Sequence, residues 1–311
     1  MGVTAKWRSG IATDPGQMRP ENEDRSYVDD ERGIFLVVDG VGGYAGGEKA
    51  AETALQVIRS ELESSEGDIQ ERIRRAIAQA NDQICKLASE NEAWQGMACV
   101  LTLAMVNEDR VTVGHVGDSR LYLIWNGSLK KLTSDHSPVG EREDRGELTE
   151  EEAMLHPRRH EVFRDVGSRL REAADEEFIE VKEFLFKPDA AVLLCSDGLS
   201  DMLTSAEMRK IIERYDGDPE RTANALVEAA NVAGGRDNIT AVFVAGSEFI
   251  GSSSARMAEA RARHSITRMR PGAAGPGLAE VVNRILTTRA AFLIYGFVLG
   301  ILIALGALKL R

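Results

Sequence analysis

Apolar residues along this chain follow two rhythms. Over roughly residues 47 to 63 they recur every third or fourth position (Ala51, Ala54, Leu55, Ile58, Leu62), and again over 69 to 90 (Ile69, Ile73, Ala76, Ile77, Ala80, Ile84, Leu87). That spacing lays an apolar stripe along one face of an α-helix. Around these helices stand short unbroken apolar runs, "FLVV", "CVLTLAMV", "AAVLLC" and "NITAVFVA", with the length and β-branched content of buried strands. The stretch "RVTVGHVGDSRLYLIWNGSLKKLT" breaks at Gly117-Asp118 and Asn126-Gly127 and predicts consecutive antiparallel strands joined by turns. "FIEVKEFLF" alternates as one more strand. Two further helices are predicted, one opening at the capping box Thr204-x-x-Glu207, the other running from Pro219 to Gly234-Gly235. Residues 138 to 177 are highly charged and apolar-poor, with one short helix signalled by Thr149-x-x-Glu152, and predict a surface flap. Two helix pairs around two groups of mostly antiparallel strands imply an α+β domain, sheets packed together and helices outside.

The pattern changes after residue 249. Residues 250–289 form a basic linker rich in Ser, Gly, Pro and Arg, and Ala290 to Leu308 is a run of 19 uncharged residues. As a helix it would measure about 28 Å, enough to cross a bilayer core. The expected organisation is therefore a catalytic body, 1–249, a linker, and a transmembrane helix at 290–308. Arginines crowd the N-terminal flank of that helix, which by the positive-inside bias keeps the body in the cytoplasm as a single-pass, C-terminally anchored protein. Gly296-x-x-x-Gly300, with Ala304 beyond it, sets small residues on one face and suits a homodimer through the span.

Charge is divided the same way. The net of −12 comprises +7 after residue 249 and −19 before it. An acidic body argues against a nucleic-acid surface and suits cation binding. Cys85, Cys99 and Cys195 lie in apolar patterns with no C-x-x-C spacing, so neither a disulfide framework nor a zinc site is expected. The N-terminus shows no apolar core of signal-peptide length, and secretion of the body is not expected.

The candidate chemistry lies where strands end. Asp39 follows "FLVV", Asp118 follows "VGHVG", Asp197 follows "VLLCS", and Asp237 precedes "NITAVFV". A single strand-end Asp is usually a turn former; four in small-residue settings point to an oxygen-rich site for hard divalent cations such as Mg²⁺ or Mn²⁺. Gly40, Gly42 and Ala45 also satisfy a dinucleotide pattern, but Asp39 would then face an anionic pyrophosphate, and the acidic residues about 20 positions on belong to a helix. Near the N-terminus, "MRPENEDR" sets Arg19 just ahead of Glu23 and Asp24. An arginine fork beside a cation cluster suits a phosphate substrate.

"RPENEDR", "VVDGVGG", "VGDSRLYL", "LTSDHS", "LLCSDGL" and "RDNIT", in this order, resemble the metal-dependent protein Ser/Thr phosphatases of the PPM or PP2C type in their bacterial form. The resemblance implies a β-sandwich with a helix pair on each outer face and cations at one end between the sheets. By it, Asp39 would bridge two Mn²⁺ or Mg²⁺ ions, the Gly40 carbonyl would bind one, and Asp197 and Asp237 would hold the other. Glu23 and Asp24 would act through water on the ions, Arg19 would clamp the substrate phosphate, and Asp118 would share Asp197 in a third, weaker metal site. Phosphorylated proteins and a cognate Ser/Thr kinase are the implied partners. Two departures stand out. Val41 occupies the position where some eukaryotic members carry a histidine, and the family's Gly-Thr-Thr is here Gly96-Met97-Ala98. The second removes two hydroxyls from the expected water network and motivates an alternative, a phosphoprotein-binding regulatory module of low turnover.

Overall fold

A computed structural model of the protein describes residues 6–41, 46–175 and 177–252. In chain order it contains β1 (Trp7–Asp14), β2 (Arg25–Asp29), β3 (Ile34–Val41), α1 (Gly46–Ser64), α2 (Ile69–Glu90), a 3₁₀ turn (Glu92–Trp94), β4 (Ala98–Asn107), β5 (Arg110–Val116), β6 (Arg120–Trp125) and β7 (Ser128–Lys131). Then follow α3 (Pro138–Asp144), α4 (Glu150–Met154), β8 (Glu180–Leu185), β9 (Ala191–Cys195), α5 (Asp197–Ser200), α6 (Ser205–Ile212), α7 (Pro219–Val232) and β10 (Ile239–Gly246). The predicted span 290–308, most of the linker, and Gly42 and Ala45 of the dinucleotide pattern lie outside the described residues. Among the described residues no helix is long and apolar enough to cross a membrane.

The strands form two five-stranded antiparallel sheets, ordered β1-β10-β9-β6-β7 and β2-β3-β4-β5-β8. Their unbroken apolar runs follow from burial on both faces. Along β3, Phe35 and Val37 enter the layer between the sheets, while Ile34, Leu36 and Val38 pack beneath α1 and α2. Along β9, Val192 and Leu194 face the other sheet, and Leu193 and Cys195 pack under the helices α5 to α7. A strand covered on both sides cannot alternate apolar with polar without burying unpaired groups. Each large apolar side chain so enclosed stabilises the fold by about 1.5–3 kcal/mol. The layers therefore run helix, sheet, sheet, helix, as predicted.

Both capping boxes form: the Thr149 and Thr204 hydroxyls each accept the backbone N–H three residues on, and Glu152 and Glu207 reach back to the cap amides. The predicted turn at Asn126-Gly127 joins β6 and β7 with both residues at positive φ, 51° and 70°.

The turn at Gly117-Asp118 differs from expectation. It does not join paired strands: β5 lies between β4 and β8, whereas β6 lies between β9 and β7 in the other sheet. Gly117 has φ +109°, and a Cβ there would lie 2.2 Å from the Val100 side chain. Only glycine permits this crossing, and it leaves Asp118 at one end of the interface between the sheets.

Candidate functional site

Asp39 lies near the end of β3 and is followed by Gly40, whose absent Cβ leaves room for the first turn of α1: a Cβ on Gly40 would stand 2.4 Å from the Gly47 carbonyl oxygen. The glycine is thus first a requirement of backbone packing. It brings the start of α1 against the strand end, with the Glu23 carboxylate lying against Gly47. Asp197 opens the short helix α5 directly after β9, and Asp237 immediately precedes β10 with Asn238. Asn238 ties the N-terminal segment to this end of the sandwich. Its Oδ1 accepts the Glu23 N–H at 2.8 Å, and its Nδ2 donates to the carbonyls of Pro15 and Glu21.

These elements enclose a cleft of about 440 Å³ whose lining includes Arg19, Glu23, Asp39, Gly40, Asp118, Asp197 and Asp237. Seven of the eight sequence-predicted site residues thus share one cavity. The eighth, Asp24, is buried behind the wall, where Oδ2 accepts the Ser196 hydroxyl at 2.7 Å and Oδ1 has no hydrogen-bond partner.

The carboxylates perturb one another strongly. Burial, followed by the charges of neighbouring aspartates, holds Asp39 and Asp118 well above the usual carboxylate range. Burial pushes Asp24 up to about 7 against the opposing pull of the Thr240 and Ser196 hydroxyls. Asp237 is raised by burial and by Asp197, with Arg19 pulling it back, and Glu23 is raised chiefly by burial. So many acids in a cleft, with Arg19 bonded to Asp237 alone, form a strong negative potential, and the orphaned Asp24 Oδ1 adds an unsatisfied acceptor. Hard divalent cations suit such an all-oxygen donor set.

Arg19 is half exposed, and its Nη2 donates to Asp237 Oδ2 at 2.8 Å. Sequence reasoning missed two further residues at the site. His160, from the flap, lines the cleft with Nδ1 3.9 Å from Asp197 Oδ2, and Asp201 lies beside both. Asp201 is pushed up to about 7 by burial, then by Asp197, and accepts Arg159 Nε at 3.0 Å. Its position four residues after Asp197, one turn along a helix, was the available signal.

Met97 and Ala98 do not line the cleft. Met97 is fully buried against the α1/α2 side of the sheet, and Ala98 pairs with Val41 at the start of β4.

Comparisons with known proteins agree with this architecture. The profile of the protein phosphatase 2C family matches residues 13–145. The chain is 35% identical over 242 residues to the serine/threonine phosphatase stp of Listeria welshimeri, covering 75% of this chain and 93% of that protein. It is 32% identical over 245 residues to the protein phosphatase PhpP of Streptococcus pneumoniae, covering 76% and 97%. Among solved structures, the Mycobacterium tuberculosis phosphatase PstP/Ppp superposes with a TM-score of 0.69 at 28% identity, covering 77% of this chain and 98% of that one. A PstP catalytic domain in complex with two manganese ions superposes with a TM-score of 0.68, covering 77% and 97%, also at 28% identity. With its two sheets, its outer helices and its acidic cleft at the sheet ends, the chain belongs to the protein phosphatase 2C family of metal-dependent serine/threonine protein phosphatases.

Proposed function

We propose that the chain removes phosphate from phosphoserine and phosphothreonine in proteins at a pair of Mn²⁺ or Mg²⁺ ions held in the cleft, opposing a protein kinase at a membrane to which its C-terminal segment anchors it. The observation that carries the reading is the convergence of Asp39, Asp118, Asp197 and Asp237 on one cleft from four separate strand ends. Asp39, with the Gly40 carbonyl, would hold the ion pair together, and Asp197 and Asp237 would complete one of the ion sites. Asp118 would share Asp197 in a third, weaker site, and Glu23 and Asp24 would reach the ions through water. Bound there, the ions would supply an activated water and offset phosphate charge.

The chain's own residues do the rest. Arg19 presents a planar fork at the cleft mouth, suited to the phosphoryl oxygens. Among the described residues that line the cleft there is no serine, threonine or cysteine, and a water activated by the ions would be the attacking group. The flap borders the cleft through His160 and Val162 and is positioned to meet the protein around the phosphorylated residue.

Metal-stripped full-length chain should release no phosphate from a phosphothreonine peptide until Mn²⁺ or Mg²⁺ is added. Asp39→Asn and Asp197→Asn should each abolish release at saturating Mn²⁺ while keeping the wild-type circular dichroism. Losing one transition-state donor typically costs about 3–4 kcal/mol, and disturbing both ions should cost more. Activity that survives chelation, or near-wild-type turnover in either variant, would contradict the two-ion reading.

A further inference from the structure

The side chain that holds Asp118 in place comes from neither of the strands flanking it. His136, in the "LTSDHS" stretch, is 5% exposed and makes two hydrogen bonds to Gly117, the residue before Asp118. Its N–H donates to the Gly117 carbonyl at 2.6 Å, and its Nδ1 accepts the Gly117 N–H at 3.0 Å. On the other side of Asp118, the Thr102 hydroxyl donates to the Ser119 carbonyl at 3.0 Å. The crossing turn is thus clasped on both sides of its carboxylate. His136 is itself fixed, because its carbonyl accepts the Phe163 N–H at 2.9 Å and its ring packs against His115 with centroids 4.9 Å apart.

The tautomer follows from the donors. A backbone N–H can only donate, so Nδ1 must be unprotonated and the proton of the neutral ring sits on Nε2. Arg164 Nη1 also approaches the ring, 3.3 Å from Nε2, but a neutral imidazole has a single lone pair to offer. The buried Gly117 amide takes it, since leaving that amide unpaired would cost more than leaving a partly exposed guanidinium to water. The same assignment disposes of another reading. His115, His136 and Glu180 bring ligand atoms within 4.8 Å of one another, a donor set known for zinc. With Nδ1 of His136 engaged and Nε2 protonated, that ring has no lone pair left for an ion.

We propose that His136 is a positioning residue for Asp118: its Nδ1 fixes the Gly117-Asp118 peptide, and so sets how well the Asp118 carboxylate meets a cation in the cleft. This rests on the role proposed above for Asp118.

Two measurements on the full chain test it. In uniformly ¹⁵N-labelled wild-type protein, the His136 ring should show a protonated Nε2 and a bare Nδ1; the opposite tautomer would overturn the proposal without any substitution being made. Mn²⁺ binding is then followed by electron paramagnetic resonance titration in His136→Leu, which fills the space without an acceptor, and His136→Asn, whose Oδ1 can reach the Gly117 amide. The weakest ion, identified as the one that Asp118→Asn removes, should bind about tenfold more weakly in the Leu variant and recover to within about threefold in the Asn variant, the tighter ions being unchanged. Equal losses in both variants, or no loss in either, would reduce His136 to a packing residue. If wild-type protein holds no ion that Asp118→Asn removes, the Asp118 assignment itself falls, and the tautomer still reports separately on the Gly117 contact.

Discussion

Arg19 and Asp237 are joined by a hydrogen bond of 2.8 Å across 218 positions of sequence. The pair links the segment before β2 to the start of β10 and places a guanidinium directly beside a proposed ion ligand. Without a substrate, Asp237 keeps the arginine at the cleft mouth; a phosphoryl group would compete for the same fork. Arg19→Ala should therefore lower kcat/KM on a phosphopeptide by about 30- to 150-fold, the equivalent of about 2–3 kcal/mol for a bidentate charge-assisted contact. Mn²⁺ affinity should change far less. Arg19→Lys keeps the charge without the fork and should recover only part of the loss. An unchanged kcat/KM in Arg19→Ala would leave the residue as a surface ion pair.

The raised carboxylates make a pH prediction with a definite sign. Asp24 is pushed from an ordinary aspartate value up to about 7 on folding. The folded, metal-stripped chain thus binds this proton more tightly than the unfolded chain does. Its contribution to stability is complete below about pH 4 and is lost as pH rises through about 7. His115 and His136, both depressed chiefly by burial, act in the opposite direction, so the total slope is not the right readout. The comparison with Asp24→Asn is. In the presence of chelator, the melting temperature of Asp24→Asn minus that of the wild type should grow between pH 5 and pH 8. A difference that stays flat over that range would show that Asp24 ionises freely.

Much of this site was legible because its ligands stand at strand ends. An aspartate at either end of an apolar run marks where a buried strand leaves the core, and Asp39 and Asp197 after their runs and Asp237 before its own each carry that mark. The long helices were legible to within a residue, since α1 and α2 bury continuous stripes. α3 was not: its only buried residues are Val139 and Gly140, too few to make a period, although Ser137 and Pro138 form its N-terminal cap. The sheet switch at Gly117-Asp118 reads in sequence as a hairpin, because local turn chemistry does not say which sheet the next strand joins. The placements of His136 and His160 depend on tertiary packing, which no local pattern encodes, while Asp201 was signalled only by its spacing from Asp197.

The flap is tied to the rest of the domain by several contacts, among them the Phe163 N–H to the His136 carbonyl at 2.9 Å and the paired backbones of Val166 and Cys99. Glu150 of α4 accepts the Ser205 N–H at 3.0 Å and also its hydroxyl, and Arg159 donates to Asp201 at 3.0 Å. Arg159→Ala should loosen the segment that carries His160, ahead of the Phe163 anchor, without touching a strand-end aspartate. Its effect should fall on substrates large enough to meet the flap. The loss of kcat/KM on a phosphoprotein should exceed that on para-nitrophenyl phosphate by at least about fivefold, or roughly 1 kcal/mol. Equal losses on both would mean that the flap supports the site and takes no part in selection.

The last prediction concerns the segment that follows the catalytic domain. Ala290 to Leu308 is uncharged throughout, and a soluble helix of that length would be expected to show a polar face. Seven arginines, Arg256, Arg261, Arg263, Arg268, Arg270, Arg284 and Arg289, lie between the domain and this stretch, against Lys309 and Arg311 beyond it. The charge bias favours retention of the N-terminal side in the cytoplasm, where an intracellular kinase would supply phosphorylated substrates. Full-length protein expressed in its own cells should pellet with membranes and resist a carbonate wash. In right-side-out vesicles its catalytic domain should be shielded from added protease. Truncation after residue 252 should move the protein to the soluble fraction with its phosphatase activity intact, which separates anchoring from catalysis. A full-length protein that remains soluble would remove the anchor, and one cleaved from outside would reverse the orientation. If the stretch is a helix, Gly296, Gly300 and Ala304 would share a face and would let two spans approach closely. If they do so, Gly300→Ile should abolish self-association in a membrane two-helix assay and leave carbonate resistance unchanged.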